Sequence, residues 1–156
     1  MKSTSTATTL AIALATALVL GTTPTAQADE DKGCSNGTLT GTFGYSVTGS
    51  VISPPQFAGL FASVGTQTFD GKGGTSASAI VTVNGTILQV TLKGTYTVNA
   101  DCTGSFTVSV LPVGITNHVS FVIDDGGREF RAIQTDPGVV VTGVARRQFP
   151  AGDSRE

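Results

Sequence analysis

The chain has 156 residues, 39% of them hydrophobic and 13% charged, with 20 glycines, two cysteines and no tryptophan. Its formal net charge is -2 and its one basic cluster is Arg146-Arg147, so it lacks the concentrated positive field that neutralises nucleic-acid phosphates, and nucleic acid is excluded as a partner. Leu, Lys and Glu are scarce while Thr, Val, Gly and Ser abound, a balance that favours strands and turns over helices.

Lys2, the apolar run from Leu10 to Leu20 and the small-x-small Ala26-Gln27-Ala28 read as an export signal over residues 1–28, with the mature chain beginning at Asp29. The run is about half of the roughly 20 residues a spanning helix needs, so no membrane span is predicted and the product is read as secreted or periplasmic. Lys2 leaves with the leader, which sets eight basic against eleven acidic residues, a net charge of -3. Residues 29–148 suit one β domain, and residues 149–156 read as a flexible tail.

Within that domain, short apolar-polar alternations are punctuated by glycine-rich turns. Leu39, Phe43, Tyr45 and Val47 share one face of a first strand, which ends at Ser53-Pro54-Pro55 because prolines cannot donate to a ladder. A second strand spans about Phe57 to Phe69 and turns at Asp70-Gly71-Lys72-Gly73-Gly74 into a third, about Thr75 to Asn84. A connection over Gly85 to Gln89 leads to a fourth, Val90 to Val98. Asn99-Ala100-Asp101 then turns into a fifth, Cys102 to Leu111. The sixth carries Val119, Phe121 and Ile123 on one face, the seventh runs from Arg128 to Gln134, and the eighth from Val139 to Arg147. Eight consecutive strands with short links predict an up-and-down antiparallel β-barrel, a closure that removes sheet edges. A Greek-key sandwich is the alternative, weakened in its immunoglobulin form by the absence of tryptophan.

Two lone cysteines in an exported chain pair most economically with each other, closing a loop of roughly 70 residues. The chain-entropy model assigns such a loop roughly 4 kcal/mol. Free thiols for redox or metal work are the alternative, unsupported by any Cys-x-x-Cys or neighbouring histidine. In a meander Cys34 and Cys102 stand at the same barrel end, so the segment from Cys34 to Thr38 must cross that opening and floor it. The opposite end then carries the more apolar links. Its rim candidates for a ligand or partner are Ile52, Pro54, Ile87, Leu88, Val113 and Ile115, with His118 beside them. Folding of these residues inward as a plug is the competing reading.

The blocks Cys34-Ser35-Asn36, Phe69-Asp70-Gly71-Lys72-Gly73, Gly94-Thr95-Tyr96-Thr97-Val98-Asn99-Ala100-Asp101-Cys102-Thr103-Gly104 and Gln134-Thr135-Asp136-Pro137-Gly138 resemble a group of small exported bacterial proteins. The resemblance spans nearly the whole mature chain and implies a barrel like that of allene oxide cyclases and dirigent proteins. No cyclase or dirigent catalytic motif is present, so it implies a fold and transfers no functional residue.

Little in the chain points to chemistry. His118 is the one histidine, which makes a poor metal site and an incomplete triad, and no Gly-x-Ser-x-Gly elbow exists. Asp70 to Gly74 lacks the Lys-Ser/Thr of a phosphate loop, and like Asp124-Asp125-Gly126-Gly127 it reads as a turn, with a weak surface calcium site as the alternative for the second. Asn36-Gly37-Thr38 and Asn84-Gly85-Thr86 match a glycosylation pattern and equally a turn dipeptide. Tyr45, Tyr96, Glu129 and Arg131 are the polar groups that could face a cavity, although the two tyrosines read first as core packing. Glu129 and Arg131 do so if the Ile133 face points inward; if Phe130 and Ala132 point inward instead, they are solvated, and this outward arrangement is favoured. No cofactor or metal is expected. The leading expectation is an exported barrel that holds a small apolar ligand or docks a protein partner at its rim. The alternatives are a cofactor-free cyclase or isomerase, with His118, Glu129 or a tyrosine as acid or base, and a filled, purely structural barrel.

Overall fold

A computed structural model describes residues 33–149; the expected leader and the tail beyond Phe149 lie outside the described residues. Eight strands follow one another: β1 (Thr40–Val51), β2 (Gly59–Asp70), β3 (Gly74–Val83), β4 (Thr86–Val98), β5 (Thr103–Leu111), β6 (Ile115–Asp124), β7 (Glu129–Gln134) and β8 (Val139–Arg147). Each pairs antiparallel with its chain neighbours. β8 returns to β1 in a register running from Phe43 opposite Arg147 to Val51 opposite Val139, which closes the barrel. This is the up-and-down meander that the alternation predicts, and the Greek-key alternative falls. Inward Phe43, Tyr45 and Val47 alternate along β1 with Gly44, Ser46 and Thr48, the period of two that a half-buried sheet demands.

The turns explain where strands stop. Asp70 Oδ1 accepts the N–H groups of Lys72, Gly73 and Gly74 at 2.7 to 2.9 Å, folding the β2–β3 connection around one carboxylate. Hydrogen bonds from the Lys72 and Gly74 backbone hold that carboxyl below its usual range. Asn84 and Gly85, both at positive φ, form a two-residue hairpin turn, so β4 starts at Thr86. The connection expected over Gly85 to Gln89 is therefore mostly strand. Likewise the link that follows Leu111 is only Pro112–Gly114, closed by the Gly114 N–H on Val110 O at 2.8 Å, and β6 begins at Ile115, four residues ahead of the Val119 face.

One barrel end is sealed. The disulfide joins Cys34, ahead of β1, to Cys102 at the β4–β5 turn, with alpha carbons 4.9 Å apart. Between Cys34 and β1 the chain crosses the opening through a single 3₁₀ turn, Asn36–Thr38, and buries Leu39 completely. Val98 N–H donates to Asn36 Oδ1 at 2.8 Å, and the Tyr96 hydroxyl reaches the Asn36 and Leu39 carbonyls at 2.9 and 3.0 Å. Arg147, from the end of β8, donates to the carbonyls of Thr38, Thr40 and Gly127 while its guanidinium lies 4.9 Å from the Phe43 ring centroid. Above this crossing, Phe43, Phe69, Tyr96, Phe121 and Phe130 form a layer of edge-on and tilted rings with centroids 4.9 to 5.6 Å apart. That layer is the main core.

Candidate functional site: an apolar cavity above the aromatic floor

Beyond the aromatic layer the barrel is not filled. A cavity of about 370 Å³ opens at the end opposite the disulfide, within the usual range for small-molecule sites. Val81, Val90, Val108, Val110 and Val141 supply its walls, and each is nearly inaccessible to solvent. An eight-stranded barrel has an interior just wide enough for side chains or one small ligand, and short valines here leave space unfilled. The β1–β2 connection bends over the mouth through the 3₁₀ turn Pro55–Phe57, with Pro54 and Phe57 against the cavity. It is tied to the β7–β8 turn by the Ile52 and Ser53 N–H groups on Gly138 O.

Three polar side chains interrupt the apolar lining near its base. Tyr45 on β1 and Ser63 and Gln67 on β2 all face the lumen, and Ser63 and Gln67 are buried. Burial pushes the Tyr45 hydroxyl above its ordinary pKa, opposed in part by a side-chain hydrogen bond with Ser63. It is therefore neutral at physiological pH. Gln67 Nε2 donates to Thr75 Oγ1 at 3.0 Å, and that hydroxyl donates to Thr68 O at 2.9 Å.

A second polar group stands at the mouth. Asp136, in the β7–β8 turn, accepts the His118 N–H at 2.8 Å and Gln134 Nε2 at 2.9 Å, and its other oxygen lies 2.7 Å from His118 Nδ1. Burial raises the Asp136 pKa, but these hydrogen bonds outweigh it and the net shift is downward. Asp136 is thus ionised, and no lysine, arginine or histidine side chain lines the cavity.

The predicted rim residues divide. Pro54, Leu88, Val113 and Ile115 line the cavity, whereas Ile52 and Ile87 point outward and are largely exposed. They occupy the outward phase of an alternation whose inward members are Val51 and Leu88. His118 sits on the outer face of β6 and meets the site through Asp136. Of the predicted cavity polar groups, Tyr45 faces the lumen and Tyr96 belongs to the floor, where its hydroxyl holds the crossing segment. Glu129 and Arg131 stay out of the cavity, in the outward arrangement that the alternation favours over the inward one. Phe130 and Ala132 take the inward phase of β7, so Glu129 pairs outside with Arg146, and Arg131 binds Asp124 bidentately at 2.7 and 3.0 Å. Ser63, Gln67, Phe57 and Asp136 were not singled out from sequence. Ser63 and Gln67 carried a signal nonetheless, as polar residues on the same alternating face as Phe61 and Phe69.

No family model matches the chain, and no curated protein matches it. Among solved structures it is similar to a redesigned β-barrel, with a TM-score of 0.54 and 18% identity over 73% of this chain and 95% of that one. It is also similar to the redesigned β-barrel mFAP1, solved bound to DFHBI, with a TM-score of 0.54 and 20% identity over 72% of this chain and 97% of that one. At these identities the likeness concerns the fold.

Proposed function

We propose that the protein binds one small, largely apolar molecule inside the barrel, and that it does so after export to an oxidising compartment. The observation that carries the reading is the valine-walled cavity of about 370 Å³ opposite a sealed floor. Void of this size in a protein interior forfeits dispersion contacts, a loss that a bound molecule restores. The disulfide and the absence, among the described residues, of any helix long and apolar enough to cross a membrane accord with an exported protein. That mFAP1, a barrel of similar architecture, was solved with a small molecule bound supports a ligand in such a lumen.

Binding is favoured over catalysis by the disposition of titratable groups. Tyr45 and Asp136 are the titratable side chains lining the cavity. Tyr45 lies six residues along β1 from Val51, the residue paired with Val139 at the mouth, which is about 20 Å of strand. An acid and a base that act together must both reach one substrate within hydrogen-bond range, and these two groups stand toward opposite ends of the lumen. The test is titration with a neutral apolar fluorophore such as 1-aminoanthracene. Saturable one-to-one binding that disappears in Val90→Phe, with the variant still folded, is the expected result. Absence of binding by the wild-type protein would overturn the reading.

A further inference from the structure

We propose that the cavity selects neutral ligands that carry one hydrogen-bond donor at their leading end, a hydroxyl or N–H received by Gln67 and Tyr45, and that it rejects carboxylates. The inference rests on the lumen being a ligand site and goes further by naming the chemical class of the ligand. Gln67 is the central observation. It is 6% exposed and lines the deep end of the cavity, on the β2 position paired with Phe43 of the aromatic layer. Its amide nitrogen is turned to Thr75 and gives one of its two N–H groups there, so the half of the group left wholly unengaged is the oxygen. No hydrogen bond engages its amide oxygen. Among the described residues no occluded side-chain nitrogen or oxygen lacks a partner, so this oxygen is open to the lumen rather than buried unpaired.

An acceptor held at the bottom of an apolar chamber is costly to strip of water unless a ligand donor replaces the water. A ligand with a donor at its tip therefore gains over one of the same shape without it. Tyr45, on the neighbouring strand β1, adds a hydroxyl that faces the lumen beside Ser63 and can give or receive a hydrogen bond. The charge of the lining sets the other half of the selectivity. The cavity contains no cationic side chain, and the one charge on its wall is the ionised Asp136 carboxylate at the mouth. A carboxylate entering this space would lose its hydration without gaining a counter-ion from the lining. The available volume is that of about a dozen water molecules, which suits a fused two- or three-ring molecule.

The experiment uses three probes of one shape, naphthalene, 2-naphthol and 2-naphthoate, titrated calorimetrically into the wild-type protein and into Gln67→Leu, Tyr45→Phe and Ser63→Ala at neutral pH. The wild type is expected to bind 2-naphthol several-fold to about tenfold more tightly than naphthalene, and to bind 2-naphthoate most weakly. Within each variant the ratio of 2-naphthol to naphthalene affinity is the quantity read. It is expected to fall toward one in Gln67→Leu and to fall partway in Tyr45→Phe and Ser63→Ala. Equal binding of naphthalene and 2-naphthol by the wild type, or binding of 2-naphthoate as tight as that of 2-naphthol, would overturn the inference and leave the cavity reading standing. Binding of none of the three would overturn both. An unchanged ratio in all three variants would also overturn it, by placing the donor's partner elsewhere.

Discussion

Arg147 shows how much of the fold rests on one side chain. Its guanidinium bonds the carbonyls of Thr38, Thr40 and Gly127 and covers Phe43, so it fastens the crossing segment, the β6–β7 turn and β1 to the end of β8. Burial lowers its pKa without threatening its charge, because an arginine begins so far above neutrality. Removing it in Arg147→Met leaves three carbonyls short of a partner and is expected to cost about 2 kcal/mol or more in denaturant unfolding. Arg147→Lys should recover little, since a single ammonium cannot reproduce a planar fork that both stacks and spans several acceptors. Asp70 acts on the opposite sign of charge. Its pKa is depressed by the N–H groups it accepts, so its contribution is present above the unfolded value of about 3.9 and is lost as pH falls through the lower folded value. Thermal melts taken from pH 7 downward should show Asp70→Asn less stable than wild type at pH 7, with the gap narrowing below pH 4.

At the scale of strands, inward glycines let the barrel coil tightly. A Cβ built on Gly49 would stand 1.9 Å from Val140 O, and one on Gly94 1.9 Å from Thr107 O. Both are backbone atoms of a neighbouring strand, which cannot move without breaking the ladder. Gly94→Ala is therefore expected to lower the melting temperature severely or abolish soluble expression. Gly85→Ala, in the turn at φ 84° with open space around it, should cost about 1 kcal/mol through backbone strain alone. The same two glycines mark what could be read from the sequence. Gly85 follows Asn84 in a turn dipeptide, and the eight-strand alternation around it was legible because side-chain period survives in the residues themselves. Gly94 carries no such mark, since a close approach between strands depends on a partner thirteen residues away in the chain, Thr107. Strand starts at Thr86 and Ile115 were hidden for a related reason: Thr86 to Gln89 are exposed, and nothing local separates an exposed strand from a loop. The cavity itself was legible as an apolar end, but whether those residues plug the barrel or ring an opening is decided by volumes summed over eight strands.

Across the molecule, the features that stabilise the fold and the cavity proposed to bind a ligand lie at opposite ends of one axis. The disulfide, the crossing segment, Arg147 and the aromatic layer occupy the floor, while the valine walls, the Tyr45, Ser63 and Gln67 group and the Phe57 turn occupy the open half. The bond closes a loop with a sequence separation of 68, for which the chain-entropy model gives about 4 kcal/mol, arising in the unfolded chain rather than in native contacts. A cross-link that acts on the unfolded state leaves the native cavity unaltered. The double variant Cys34→Ser/Cys102→Ser should therefore lose up to about 4 kcal/mol in urea unfolding and still bind 1-aminoanthracene with nearly wild-type affinity at temperatures where it remains folded. Val90→Phe should do the reverse, because a ring placed in existing void adds contacts while it removes the ligand's space. Measured together, the two variants separate the functions of the two ends. Loss of probe affinity in the folded double variant, in proportion to its loss of stability, would show that the cavity depends on the floor and that the two halves act as one unit.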